Sequence, residues 1–221
     1  MTPTNADTPP LAAALAGIPA GIRATGPWTG RRQLFVRFAQ LAETATMYTA
    51  DALRGELARL AQRSVYHSIS LSGGDPLAQV EFLAAALEGG APLAVMLDHD
   101  GQRPESLDAI VAALALVQVT LTGAEDDAAV ERAMATLRGA AAKHVAHALV
   151  LTVEADASDG RLLRIVEQTE AASPEASVVL HPAADSLIDG NRRWMRWLEQ
   201  AAGVHSDVRM LPSLSEPTGM R

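Results

Sequence analysis

The chain contains no cysteine in its 221 residues. That absence excludes disulfides, thiolate nucleophiles and cysteine-held metal clusters. Aromatic residues are scarce at 4%, so the core must be built from many small aliphatic contacts. Positive charge is also short, with 18 Lys and Arg against 26 Asp and Glu, for a net charge of -8. An acidic surface repels phosphate backbones, and no nucleic-acid partner is expected. Arg31-Arg32 and Arg192-Arg193, the paired basic residues, read as solvated surface pairs rather than phosphate clamps. No apolar run approaches the roughly 20 residues that cross a bilayer, so no membrane partner is expected. The apolar stretch Leu11 to Ile18 has no Lys or Arg ahead of it and makes a poor signal peptide. A cytoplasmic location follows as an expectation. Residues 1–17 are expected to be a flexible leader, disordered through about Pro10, before a single domain over 18–221.

What is present is a hydrophobic fraction of 48%, enough for one domain with a sizeable core. Apolar runs of strand length alternate with longer helical patterns. Strands are expected over 34–39, 66–71, 93–97, 117–121, 148–153, 177–180 and 208–211. Helices are expected over 51–62, 77–88, 126–142, 161–171 and 192–202, and Pro104 sits where a first helical turn tolerates it. This alternation implies right-handed βαβ crossovers and a mainly parallel sheet. Six units are too few for a closed eight-stranded barrel. They fit a doubly wound open sheet or an open partial barrel, and both place functional groups at the carboxyl ends of the strands.

Five segments carry a family resemblance. They are Gly26-Pro27-Trp28-Thr29-Gly30 with the strand after it, Ser72-Gly73-Gly74-Asp75-Pro76-Leu77, Leu97-Asp98-His99-Asp100-Gly101, Val179-Leu180-His181-Pro182, and Val208 to Arg221. In order and separation they resemble the opening turn, the GGEP motif, the ETNG loop, the LQP segment and the closing segment of the radical-SAM enzymes. The likeness is nearest to the 7-carboxy-7-deazaguanine synthases and runs from Gly26 almost to the last residue. It implies an α/β fold, a single-domain open partial (β/α)6 barrel of radical-SAM type, and a homodimer.

The same register implies loss of the family's chemistry. Its three cluster cysteines, spaced C-x3-C-x2-C, correspond to Leu41, Ala45 and Tyr48. Leucine and alanine have no lone pair to offer iron, and tyrosine is uncommon at such clusters. The magnesium-binding threonine corresponds to Ala50, which has no oxygen to give. The QGEG-like opening reads Arg23-Ala24-Thr25-Gly26, the lysine expected near Thr120-Leu121-Thr122-Gly123 is missing, and the closing glutamine and histidine read Ser213 and Ser215. Cluster, metal and substrate positions have gone together while the hydrophobic periodicity stays intact. No cofactor and no iron–sulfur cluster are expected, and S-adenosylmethionine binding could survive only as a residue of the old site.

The remaining polar residues allow other roles. Asp75, Asp98, His99, Asp100 and His181 fall at expected strand carboxyl ends. Asp75, Asp100 and His181 could share a divalent metal, which would make the chain a metal-dependent hydrolytic enzyme. Gly73, Gly74, Asp75 and His181 could cradle a small ligand such as S-adenosylmethionine or a purine-like compound, without turnover. Against these stand plain roles. Asp75 can cap the helix near Leu77, the two glycines can serve close strand–helix packing, Asp100-Gly101 is a turn pair, and His181 can be a satisfied half-buried residue. His144 and His147 read as solvating a helix end. Trp194 and Trp197, with Met195 and Leu198, read as core or subunit interface. The expectation that weighs most is a pseudoenzyme, without catalytic residues, that acts as a scaffold or partner subunit. A barrel mouth plugged by side chains such as Leu41, Met47 and Tyr48 would favour scaffold over binder.

Overall fold

Long aliphatic runs flanked by glycine, aspartate and proline divide the chain into strands and helices. The computed structural model describes residues 11–182 and 192–212. The strands are β1 (Ala12–Gly17), β2 (Ala20–Ile22), β3 (Arg32–Phe38), β4 (Thr46–Thr49), β5 (Ser68–Gly73), β6 (Ala94–His99), β7 (Leu116–Leu121), β8 (Ala146–Val153), β9 (Ser177–Pro182) and β10 (Val208–Met210). The helices are α1 (Ala50–Arg63), α2 (Val80–Leu87), α3 (Asp127–Ala142), α4 (Asp159–Ala172) and α5 (Arg193–Ala202). Three helices begin on side-chain caps that accept an otherwise unpaired backbone N–H. Thr49 accepts from Ala52, Asp126 from Ala129 and Ser158 from Arg161.

The fold is α/β, with one open, mostly parallel ten-stranded sheet among the described residues, in the order β10-β9-β8-β7-β6-β5-β3-β1-β4. From β3 through β10 each strand lies parallel to the one before it in that run. Because strand order never reverses, the doubly wound alternative does not apply: that design needs a switch point where the order turns back. Beyond β3 the sheet changes character. β1 pairs antiparallel with β3 and with β4, and β2 pairs antiparallel with β3.

The expected leader over 1–17 is corrected for its last part, since Ala12 to Gly17 is a sheet strand, while residues 1–10 lie outside the described residues. Ala13 and Leu15 are 2% and 0% exposed, so this segment buries one face in the core. Its sequence AAALAG hid the strand because alanine and glycine have little β-propensity. Two further elements differ from expectation. The helix expected from Leu77 begins as a short 3-10 turn, Pro76–Gln79, and becomes α-helical only at Val80. The crossover between β6 and β7 carries only 3-10 turns, Pro104–Ala109 and Val111–Ala113.

The two faces of the parallel strands have different partners. One side of β3, β5, β6 and β7 (Val36, Leu71, Leu97, Val117) packs on α1, α2 and the 3-10 turns, through Leu53, Leu57, Phe82, Leu83 and Leu107. The same side of β7, β8 and β9 (Val119, Leu151, Leu180) packs on α3, α4 and α5, through Leu137, Ile165 and Trp197. Each such leucine or valine contributes about 1.5–3 kcal/mol on burial. The alternate positions face away from the helices, and many are polar: Gln33, Ser68, Ser70, Asp98, Gln118, Thr120 and His181. Gln33, Ser68, Ser70 and Gln118 are nonetheless 0% exposed.

Candidate functional site

The polar face is covered by the chain's own segment between β2 and β3. Trp28 packs against Met96, Leu116 and Ala148 and meets the ring of His67 edge-on at 4.8 Å. Residues ahead of Trp28 reach the carboxyl ends of the strands. Arg23 Nη1 donates to Asp98 Oδ2 at 2.8 Å, with the two side chains 7% and 19% exposed. Its Nε donates to the Thr25 carbonyl and its Nη2 to Thr25 Oγ1. The second Asp98 oxygen accepts from Gln118 Nε2 at 3.1 Å and from Thr120 Oγ1 at 3.0 Å. The Gly26 N–H donates to His181 Nε2 at 2.8 Å.

Asp98, Gln118, Thr120 and His181 thus come from β6, β7 and β9, and Arg23 to Gly26 lie over them. A buried ion pair persists only where hydrogen bonds satisfy the remaining lone pairs, which Gln118 and Thr120 do for Asp98. Burial holds the His181 pKa below the ordinary histidine value, with the nearby Arg23 charge acting the same way and the backbone of Leu211 and Pro212 opposing it. His181 is therefore a neutral acceptor for Gly26. Four side-chain atoms on this face lack a hydrogen-bond partner among the described residues: Gln33 Oε1, Ser70 Oγ, Gln118 Oε1 and His181 Nδ1. Two surface hollows of about 400 Å³ and 240 Å³, one beside Ile110 and one beside Arg103, lie elsewhere.

The residues singled out by sequence are not brought together. Asp75 caps the 3-10 turn through the Ala78 N–H at 3.1 Å and pairs with Arg103 Nε at 2.6 Å. Asp100 is exposed and accepts from the backbone and side chain of Gln102. His181 is committed to Gly26. Among the described residues no group of three or more His, Asp or Glu could hold a metal ion, so the alternative in which Asp75, Asp100 and His181 share one ion is corrected. His99 is buried on the helix side, its Nε2 unpartnered. Burial lowers its pKa to about 4, against the raising effect of Asp100, Asp98 and Asp75.

Gly73 and Gly74 serve close packing between strands rather than between strand and helix. A Cβ on Gly73 would lie 2.4 Å from the Phe38 carbonyl oxygen, and one on Gly74 would lie 2.7 Å from that of Ala39. The Gly74 N–H already donates to the Phe38 carbonyl at 2.9 Å, which removes it as a donor to a ligand.

The positions that the resemblance assigns to the cluster lie at the antiparallel end of the sheet. Leu41 is on a turn and fully exposed, Ala45 is exposed just before β4, and Tyr48 lies within β4, partly buried against the core. Ala50 is the buried first residue of α1. This donor set does not fit an iron–sulfur cluster or a magnesium ion. Nor do Leu41 and Met47 plug the sheet's interior, since both are exposed; the polar face is covered by Arg23, Gly26 and Trp28 instead.

His147 is buried, bonded to Ser173 Oγ and the Val145 carbonyl, rather than solvating a helix end as expected. Trp194 and Trp197 are 4% and 1% exposed core residues. Ser213 and Ser215 lie outside the described residues. Sequence reasoning treated Arg23 as part of a lost motif and passed over Gln118 and Ser70. Period-2 alternation could have found two of them, since SISLSG and LVQVTL place their polar residues on one face. No family model matches the chain, and no curated protein matches it.

Proposed function

We propose that this chain is a non-catalytic relative of the radical-SAM enzymes of the 7-carboxy-7-deazaguanine synthase kind, a cytoplasmic scaffold or partner subunit working through protein contacts. A single observation carries this reading: the polar face at the strand carboxyl ends is covered by the chain's own Arg23 to Gly26, with Trp28 packed on the same face nearer the amino ends. In parallel α/β folds substrates bind at the carboxyl ends of the strands, and in this reading the chain's own segment occupies part of that space. Strands in sequence order, helices on one side and a buried second face of small and polar residues also suit an open partial barrel. The absence of thiolates removes the radical step in this reading, and no cofactor is required.

Surface at the other end of the sheet suits a partner. β4 is the terminal strand, and among the described residues nothing pairs its outer edge. Met47 within it and Leu41 ahead of it are exposed apolar side chains. Unpaired edges and exposed apolar groups are where association begins. The partner in this reading is a second copy of the chain or an active relative. Native mass measurement of the purified protein, alone and mixed with such a relative, tests it. A dimer or a mixed complex is expected, and a lone monomer in both experiments would count against it. Anaerobic reconstitution that yields a reducible cluster and cleaves S-adenosylmethionine would overturn it outright.

A further inference from the structure

The layer beneath Arg23 to Gly26 is built largely of hydrogen-bond acceptors around one negative charge. Asp98 Oδ2 accepts from the Arg23 guanidinium, and His181 Nε2 accepts from the Gly26 N–H. Gln118 Oε1 is an acceptor with no donor, in a side chain that is 0% exposed, and Gln33 Oε1, Ser70 Oγ and His181 Nδ1 on the same face of the sheet are also unpartnered. A buried polar group without its bond costs about 1–3 kcal/mol. A purely structural interior would be expected to use apolar residues, as the other face of the same strands does. Asp98 is held in place independently of Arg23, because Gln118 Nε2 and Thr120 Oγ1 both donate to its other oxygen. The receptor half is thus preorganised without the covering strap.

The strap also depends on one special residue. Gly26 has φ +84, and a Cβ there would lie 2.0 Å from Gln118 Oε1. Glycine is needed both for the backbone conformation and for the close approach.

We propose that Arg23 to Gly26 is an internal surrogate ligand, and that the array of Asp98, Gln118 and His181 is a latent site for a small planar cation of the guanidinium or amidinium class. A planar cation with several N–H donors answers the array. One N–H meets Asp98 Oδ2 where Arg23 now sits, another meets His181 Nε2 in place of the Gly26 amide, and a third can reach Gln118 Oε1. A neutral His181, kept so by burial, is the form able to accept. An ammonium ion lacks the planar fork, and a neutral urea lacks the charge. The strap and the ligand compete, so the closed form weakens binding in proportion to its population. This inference does not depend on what the chain's protein partner is.

The test uses the full chain and benzamidine or methylguanidine as probe, with methylurea and methylammonium as controls, read by calorimetry and thermal shift. Gly26→Ala disfavours the closed strap through its φ of +84, whatever the Gln118 side chain does, and changes the identity of no site residue. Its affinity for benzamidine is expected to exceed that of the wild type by about tenfold or more. Asp98→Asn in the Gly26→Ala background should abolish binding, and neither control should bind. Equal or undetectable binding by wild type and Gly26→Ala, or binding indifferent to Asp98→Asn, would refute the proposal. Should Gly26→Ala not fold, Arg23→Ala takes its place. Recovery of its melting temperature by methylguanidine and not by methylurea supports the site, and no recovery refutes it.

Discussion

The two faces of the parallel strands are both buried, yet they are held by different physics. On the helix side, Val36, Leu71, Leu97, Leu149 and Leu151 meet helices through area alone, a force without direction. On the far side, Asp98, Gln118, Thr120 and His181 meet a strap through bonds of fixed geometry. The first face tolerates a change of shape but not a loss of volume. The second tolerates neither a lost donor nor a lost acceptor, because each deletion strands a buried partner. A core can therefore be dense on both sides of one sheet and specific on only one.

The largest effect should come from breaking the polar side at its charge. Arg23→Met leaves the largely buried Asp98 carboxylate, 19% exposed, without its counter-charge, and is expected to cost about 3–5 kcal/mol in urea unfolding. Adding Asp98→Leu should restore most of that loss, since removing both charges abolishes the desolvation cost as well. If the double variant were as unstable as the single one, the directional account of this face would fail. On the helix side, Leu151→Ala should cost about 2–5 kcal/mol, and no second substitution across the sheet should rescue it.

A third measurement separates the faces by pH. His99, on the helix side, has its folded pKa lowered to about 4 from 6.5. Between those values the unfolded chain binds more protons, so stability rises with pH across that window and is lost as pH falls from 6.5 to 4. The loss is on the order of 3 kcal/mol for a shift of this size. His67 and His181, also lowered chiefly by burial, add in the same direction. Denaturation midpoints of His99→Leu at pH 7 and pH 4.5 should differ less than those of the wild type. The smallest effect is at the edge of the site: Asp75→Ala removes a cap and an exposed ion pair, for about 1 kcal/mol. No change in the Asp98 network, followed through the Gly26 amide resonance, should accompany it.

The sequence disclosed these faces unequally. Runs such as Leu149-Val150-Leu151 and Val117 to Leu121 announce strands because both of their faces are buried, and β7 and β8 lie within two residues of expectation. β1 escaped notice because alanine carries little signal, and its burial comes from pairing with β3 and β4. Asp75 was legible as a cap because its partner lies three residues on. The match of Arg23 to Asp98 spans 75 residues, and no spacing rule reaches that far. Only the topology, which sets β6, β7 and β9 near one another, makes them neighbours. Gly73-Gly74 allowed a ligand cradle or close strand–helix packing, whereas its glycines answer the nearness of the Phe38 and Ala39 carbonyls.

The placement of the strap carries a consequence for how the chain acquires its shape. Gly26 leaves the ribosome 155 residues ahead of His181, its hydrogen-bond partner. Strands β3 to β10 can dock one upon another as they emerge, each finding its neighbour already made. The stopper can meet Asp98 once β6 and β7 are made, but must wait through most of synthesis for His181 to complete its socket. Closure is then the slow, long-range step, because the widest loop is the costliest to close. The piece made among the first is seated among the last.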